Sequence, residues 1–367
     1  MRLLAYAINS IGIGHLSRLI AITDAIRRLN QNVEILFLTE ISDSRLLQSY
    51  NFPYYYIPPK KKLQSDLEYK NMDIVKMEKL RKTMVQQTAK IFQPNIVLHD
   101  SLIDEILYSA GVSKKLKQVF ITRWRNNMGE YLIKHNTVLS NMDLFVLTEN
   151  ETICSVVPNE LKLYCSKSII RRTVSDINVD YITAKYKIIS NNSLITISNG
   201  GGAEFKAFED DFWKEVFQSL KMLDELNITI KIIGITGPMT KSNIVPPKFK
   251  NLEVLIIDFE PNLLDLFYVS NLCITRGGYN TVNELKSINA NAICIPAKRF
   301  SDNQSERIMH AQKEARNIHY CELDKDKLFQ LITLIQSKPK EQKNLVPADK
   351  DMELYTKLKL ANRILNL

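Results

Sequence analysis

Thr275-Arg276-Gly277-Gly278-Tyr279-Asn280-Thr281-Val282-Asn283-Glu284 is the stretch whose reading decides the fold. An apolar run, 272–275, ends in an arginine and two glycines, and an amphipathic pattern follows at once. Strand, glycine turn and helix in that order build a parallel sheet covered by helices. Glycine lets the backbone pass close to a bound group, and the N–H groups of a helix start favour phosphate. Thr281 and Glu284 also fit the S/T-x-x-E capping box, so Glu284 either caps its own helix or accepts hydrogen bonds from ribose hydroxyls. Arg276 is either a phosphate clamp or a structural ion-pair partner.

Two further glycine turns lie outward of this one. Ser10-Ile11-Gly12-Ile13-Gly14-His15 follows the first apolar run, and Ser17 stands where a dinucleotide fingerprint would place its third glycine. Gly12 and Gly14 suit an anion at a helix start, and His15 is a candidate general base or a residue packed on the turn. Asp100 ends another apolar run, 96–99. It either orients His15 and stabilises the imidazolium, or caps the helix expected from about Leu102. His99 alternates to the opposite side. The third turn, Ile197-Ser198-Asn199-Gly200-Gly201-Gly202-Ala203, is a loop whose backbone approaches a diphosphate, or a hinge. In Phe300-Ser301-Asp302-Asn303-Gln304, Asp302 and Gln304 are candidate sugar contacts, with an N-cap by Ser301 or Asp302 as the plain alternative.

Around these turns the pattern repeats twice. Strands are expected at 3–8, 33–38, 54–57, 96–99, 118–122 and 144–148, then at 194–198, 229–233, 252–256, 272–275 and 292–295. Helices are expected at 16–29, 73–92, 211–226, 262–269, 281–288, 304–316, 325–336 and 352–367. The fold class is α/β, with two doubly wound Rossmann-like domains facing a cleft. The expected domains are 1–175, 190–345 and a terminal helix, 350–367, with a polar linker near 171–193.

Length and composition agree: 367 residues and 45% hydrophobic content supply two cores. No run approaches the roughly 20 apolar residues of a membrane span, and the short apolar start lacks a signal-peptide layout, so a cytoplasmic location is expected. Five cysteines without a CxxC pair read as reduced thiols, and five scattered histidines give no metal-ligand cluster, so no metal site is expected. Net charge is +9, which suits phosphate-bearing ligands or an anionic membrane. Lys60-Lys61-Lys62 is a basic cluster for weak peripheral contact with the inner membrane face. It lacks the interleaved aromatics of a nucleic-acid platform, so no nucleic-acid partner is expected.

These motifs together resemble GT-B glycosyltransferases related to the N-acetylglucosaminyltransferase that makes lipid II (glycosyltransferase family 28-like). They are closer still to a bacterial group bearing the same Arg-Gly-Gly-Tyr-Asn-Thr-Val-x-Glu run. The resemblance runs through Gly12–His15, Gly200–Gly202, Arg276–Glu284 and Asp302–Gln304 in the family's order. It implies that Glu284 binds the donor ribose, and that Gly277, Gly278, Asn280 and Thr281 line the diphosphate. Gly200 to Gly202 would approach the nucleotide, while Asp302 and Gln304 contact the donor sugar. His15 would lie by the reacting centre, with Asp100 as its assisting acid. It also implies inverting, metal-independent transfer from a nucleotide sugar, a UDP-sugar, to an acceptor hydroxyl. The acceptor is a small molecule, saccharide or lipid-linked group bound by the first domain, and no cofactor beyond the nucleotide-sugar co-substrate is implied. Three alternatives share the architecture. One is a nucleotide-sugar hydrolase of the pseudaminic-acid-pathway type, matched by Gly12-x-Gly14-His15-x-x-Arg18. The others are a UDP-N-acetylglucosamine 2-epimerase and a non-catalytic nucleotide-sugar-binding protein.

Overall fold

The computed structural model describes residues 1–8, 12–59, 73–102, 107, 116–149, 154, 157, 161–189, 193–201, 206–240, 242–297, 302–337 and 351–367. The Lys60–Lys62 cluster, Gly202 and Ser301 lie outside them. The chain divides into unit 1, residues Met1–Arg171 with Met352–Leu367, and unit 2, Arg172–Asp351.

Unit 1 runs β1 (Arg2–Ala7), α1 (Gly14–Leu29), β2 (Glu34–Thr39), α2 (Arg45–Ser49), β3 (Tyr54–Tyr56), α3 (Ile74–Phe92) and β4 (Ile96–Asp100). It continues through β5 (Lys117–Thr122), α4 (Met128–Lys134), α5 (Asn136–Leu139), β6 (Leu144–Thr148) and β7 (Leu163–Ser166). The strands form a seven-stranded parallel sheet in the order β3-β2-β1-β4-β5-β6-β7. A parallel strand is covered on both faces, so it reads as an unbroken apolar run rather than an alternation. β4 and β6 are buried along their whole length. α3 starts where the Asp73 side chain accepts the Lys76 N–H, and it stops at Gln93 in the left-handed region (φ 48°).

Unit 2 repeats the scheme: α6 (Val179–Tyr186), β8 (Ser193–Ser198), α7 (Lys206–Asp224), β9 (Ile230–Ile235), β10 (Leu252–Ile257), α8 (Leu263–Val269) and β11 (Leu272–Arg276). α9 (Tyr279–Ser287), β12 (Ala292–Ile295), α10 (Gln304–Glu314), β13 (Ile318–Tyr320) and α11 (Lys325–Gln336) complete it. The six-stranded parallel sheet is ordered β10-β9-β8-β11-β12-β13. The final helix, α12 (Met352–Leu365), packs on α1 in unit 1 and buries Leu360, Ala361 and Ile364. Its Lys357 is buried too, and Nζ donates to the Arg171 carbonyl at 3.1 Å.

The expected strands are all present, with small shifts at their ends. β7 and β13 are additions, short edge strands whose few residues give no readable period. The described part of the expected linker, 171–189, carries its own structure instead. Its Ile182 and Tyr186, on α6, pack with Leu194, Ile233, Ile235 and Leu266, so the segment belongs to the core of unit 2. One expectation about the cysteines is overturned: Cys154 and Cys165 form a disulfide, while Cys273, Cys294 and Cys321 stay buried thiols. The two bonded residues lie just past β6 and on β7, adjacent strands whose ends bring the sulfurs together. Such a bridge is rare in a reducing cytosol and weighs against the expected location. No helix among the described residues is long and apolar enough to cross a membrane.

Gly234 on β9 shows how tightly unit 2 is filled. A Cβ there would stand 2.5 Å from Ile256 Cδ1 and 2.9 Å from Trp213 Cη2. Trp213 is buried in the core between α7 and the sheet, and Ile256 packs against that core. Gly234→Ala should therefore lose about 1–3 kcal/mol, read as a lower urea midpoint with an unchanged m-value.

Candidate functional site

Each sheet has its first strand between its second and its fourth. The chain leaves these two central strands in opposite directions, and ligands of such sheets bind outside the carboxyl ends at that gap. In unit 1 the gap lies between β1 and β4, and in unit 2 between β8 and β11.

In unit 1, Gly12 takes φ 69° and the chain turns into α1, whose N-cap, Ile13, has no side chain able to cap it. Asn9, Ser10 and Ile11 lie outside the described residues. His15 is the second residue of α1 and is one-quarter exposed. Its Nδ1 stands 2.8 Å from Oδ1 of Asp100, the last residue of β4, which is wholly buried. With the proton assigned to Nδ1 and donated to the carboxylate, Nε2 keeps its lone pair. Arg18, three residues on, falls on the same helical face. Its Nε and Nη2 grip the two carboxylate oxygens at 2.7 and 2.6 Å, and Nη2 also donates to Ser101 Oγ at 2.8 Å.

The Asp100 side chain is thus engaged by α1, and the expected cap of a following helix is not what holds it. Ser101 sits in the left-handed region (φ 58°), which costs a non-glycine on the order of 1 kcal/mol. Its N–H donates to the Ile121 carbonyl at 2.7 Å, and its own carbonyl accepts from Arg125 Nη2. Arg125 Nη2 lies 3.4 Å from Thr122 Oγ1, and its guanidinium carbon is 4.2 Å above the Tyr131 ring. Burial lowers the Arg125 pKa. His99 faces the other side of the sheet, fully buried, with Nε2 2.9 Å from Gln118 Oε1 and its ring edge-on to Tyr6.

In unit 2, β8 ends at Ser198, whose Oγ accepts the Gly200 N–H at 3.3 Å. Gly200 takes φ 80°, and the space where a Cβ would stand is open, as close approach of a ligand requires. The Gly201 carbonyl accepts from Met239 N–H at 3.2 Å. Arg276, at the end of β11, stitches three strand ends together. It donates to Asn199 Oδ1 (3.1 Å), the Phe208 carbonyl (2.9 Å) and the Pro296 carbonyl (3.5 Å), and lies 4.4 Å over the Phe212 ring. Of the two roles expected for Arg276, these contacts are structural ones, with the Asn199 side chain, two backbone carbonyls and a ring.

The pair of glycines divides its labour. Gly277 is demanded by packing: a Cβ would stand 2.5 Å from Ile308 Cδ1 on α10. Gly278 is the N-cap of α9, with no side-chain cap, so the first turn, with Asn280 and Thr281, presents backbone N–H groups at the strand end. This corrects the capping-box expectation. α9 begins two residues before Thr281, so Thr281 lies inside the helix and Glu284 is a buried residue beyond the first turn. Asp302, expected at the sugar, pairs with Arg307, whose Nη1 also donates to the Gly277 carbonyl at 2.9 Å. Gln304 is buried, and its Oε1 accepts the Ala297 N–H at 2.9 Å. The helix cap is Asn303 rather than Ser301 or Asp302, its side chain accepting from Glu306 N–H.

Sequence reasoning missed Asn199, Ser101, Arg125 and Arg307 as partners of the site, and saw Arg18 only through one alternative family. The i, i+3 spacing of His15 and Arg18 was the available signal; the others depend on contacts across the fold.

Residues 195–360 match the glycosyltransferase family 28 C-terminal domain. No curated protein matches the chain in sequence. Among solved structures, MurG of Acinetobacter baumannii is similar over 100% of this chain and 99% of its own, with TM-score 0.54 and 13% identity. UGT89C1 of Arabidopsis thaliana, complexed with UDP, is similar over 99% and 94%, with TM-score 0.60 and 12% identity. The UDP-GlcNAc 2-epimerase of Methanocaldococcus jannaschii, complexed with UDP-GlcNAc and UDP, is similar over 100% and 99%, with TM-score 0.59 and 12% identity. At these identities the likeness is one of fold, two Rossmann-like units of the GT-B kind. The matched stretch takes in most of unit 2 and runs on into α12, and with this glycosyltransferase domain the chain is a glycosyltransferase.

The Asp100 environment makes a prediction about stability. Burial alone would raise its pKa, but Arg18 and His15 outweigh burial and hold the carboxyl far below the ordinary carboxylate range. A group depressed on folding stabilises the protein above its unfolded pKa, about 3.9, and loses that contribution as pH falls toward the folded value. Asp100→Asn should therefore be less stable than wild type at pH 7 in urea unfolding, and the gap should narrow as pH drops below about 4.

Proposed function

We propose that the enzyme transfers a sugar, with inversion and without a metal, from a UDP-sugar to an acceptor hydroxyl. The observation that carries this reading is the 2.8 Å contact from His15 Nδ1 to Asp100, which leaves Nε2 as a positioned base. In the proposed step Nε2 takes the acceptor hydroxyl proton as that oxygen attacks the anomeric carbon. The bond from this carbon to the diphosphate oxygen breaks on the opposite face, and the diphosphate leaves with the electron pair. Asp100 stabilises the imidazolium that forms.

Unit 2 would hold the donor. Gly200 and Gly201 let the backbone approach the nucleotide, and the uncapped start of α9, with Gly278, Asn280 and Thr281, meets the diphosphate charge. Gly277 keeps α10 close to that helix start, and Arg276 fixes the strand ends around it rather than clamping phosphate itself. Glu284, released from the capping role, is the ribose acceptor. Gln304 reaches the donor sugar through its amide, and Asp302 acts through Arg307. The UDP assignment draws on the nucleotide in two of the similar structures.

His15→Ala should lower kcat by about 10²-fold or more at unchanged UDP affinity; turnover within a few-fold of wild type would remove His15 from the mechanism. Glu284→Ala should weaken UDP binding about tenfold or more by calorimetry, and equal affinity would exclude the ribose contact. A rate that collapses in EDTA and returns with a divalent ion would overturn metal independence. The hydrolase reading has one observation in its favour, the Arg18 grip on Asp100 within Gly12-x-Gly14-His15-x-x-Arg18. Fast sugar release from donor alone, unaffected by any acceptor, would select it.

A further inference from the structure

We propose that Arg307 is a positioning residue for the donor diphosphate: it holds the Gly277 carbonyl against α10 and so turns the Gly278 N–H outward as a donor to phosphate. The inference rests on the reading in which the start of α9 meets the diphosphate, and it names the side chain that aims that start. Arg307 touches no substrate in this role; it acts through the backbone.

Arg307 lies in the first turn of α10, and its side chain reaches back to the end of β11. Nη1 donates to the Gly277 carbonyl at 2.9 Å and to Asp302 Oδ2 at 3.2 Å, and Nη2 donates to Asp302 Oδ1. Asp302 is buried and Arg307 mostly so. The guanidinium carbon also lies 5.6 Å over the ring of Tyr279, the first residue of α9. A planar guanidinium paired in this way with a carboxylate has a set direction, and so therefore has the carbonyl it holds.

A trans peptide is planar, so its C=O and N–H point in opposite directions. With the Gly277 carbonyl drawn to α10, the Gly278 N–H faces away from α10. Among the described residues it meets no acceptor. The space beside it is open, since a Cβ on Gly278 would meet only Thr281 Oγ1, at 3.6 Å. Gln304 and Ile308, on the same face of α10 as Arg307, pack on the turn from behind: a Cβ on Gly277 would stand 3.3 Å from Gln304 Cβ and 2.5 Å from Ile308 Cδ1. Such packing sets the separation of turn and helix. It does not choose a direction for the peptide dipole, and glycine on both sides leaves that peptide free to rotate. The guanidinium makes the choice. A cation on the carbonyl also polarises the peptide and strengthens its N–H as a donor.

Calorimetry on the intact protein with UDP, uridine and inorganic pyrophosphate tests this role. Arg307→Gln should weaken UDP and pyrophosphate at least about tenfold and uridine by less than about twofold, because only the first two carry the diphosphate. Arg307→Lys, which keeps the charge and loses the planar fork, should fall between. Isotope labelling of the eleven glycine amides adds a readout on the wild-type protein, whatever the folding of the variants. The Gly278 signal, assigned by its loss in Gly278→Ala, should move downfield on saturation with UDP or pyrophosphate and stay in place with uridine. Equal losses for uridine and UDP would mark a merely structural residue and overturn the proposal, as would a Gly278 signal indifferent to both diphosphates. UDP bound equally by wild type and Arg307→Gln removes the positioning role and leaves the diphosphate reading standing. Pyrophosphate bound in an Arg307-dependent way without UDP removes the UDP assignment alone. Neither diphosphate bound by wild type removes both.

Discussion

A carboxylate sealed from water must be met by charge and by hydrogen-bond donors, and Asp100 is met by the Arg18 guanidinium and the His15 imidazole. The requirement reaches far into unit 1. It sets where α1 begins, because His15 and Arg18 reach one carboxylate only if the helix starts at the glycine turn and carries both on one face. It sets the backbone after β4, because Ser101 must turn left-handed to give its hydroxyl to Arg18 and its carbonyl to Arg125. Breaking the pair would leave an ion buried without its counter-charge, a far larger penalty than losing an exposed ion pair.

The two sheets share one strand order at their centres, so both sites occupy the same address, but they are furnished differently. Unit 1 places side chains there: an imidazole, a carboxylate and guanidiniums. Unit 2 places backbone there, the open turn at Gly200 and the uncapped start of α9, with Arg276 tying the strand ends behind them. Side chains that exchange protons and backbone dipoles that meet charge are complementary tools. The proposed division between acceptor and donor draws on that difference in chemistry.

Much of this was legible in the residues because it is local. Buried parallel strands are apolar runs, glycine turns sit at their ends, and Asp73 or Asp324 announces a helix start by its own side chain. The failures share a cause as well. Thr281 and Glu284 have the spacing of a capping box, but the Gly277–Ile308 contact and the turn at Gly278 start α9 earlier, and neither is visible in the ten residues quoted. Cys154 and Cys165 pair because β6 and β7 are neighbours, and β7 is too short to read. Asp302 is paired with Arg307, one turn along α10, a partner that the short quoted run does not reveal. Arg125 gave no signal because its partners, Ser101 and Tyr131, meet it only through the fold.

The chain crosses between its units twice, at Arg171–Arg172 and again at Asp351–Met352. Unit 2 is therefore an insertion within unit 1, and this has a consequence for biosynthesis. The helix that covers α1 is translated only after every residue of unit 2. During synthesis unit 2 has its whole sequence outside the ribosome first and can close its own core. Unit 1, although begun earlier, must wait with the apolar face of α1 bare, a nascent surface for chaperones to shield.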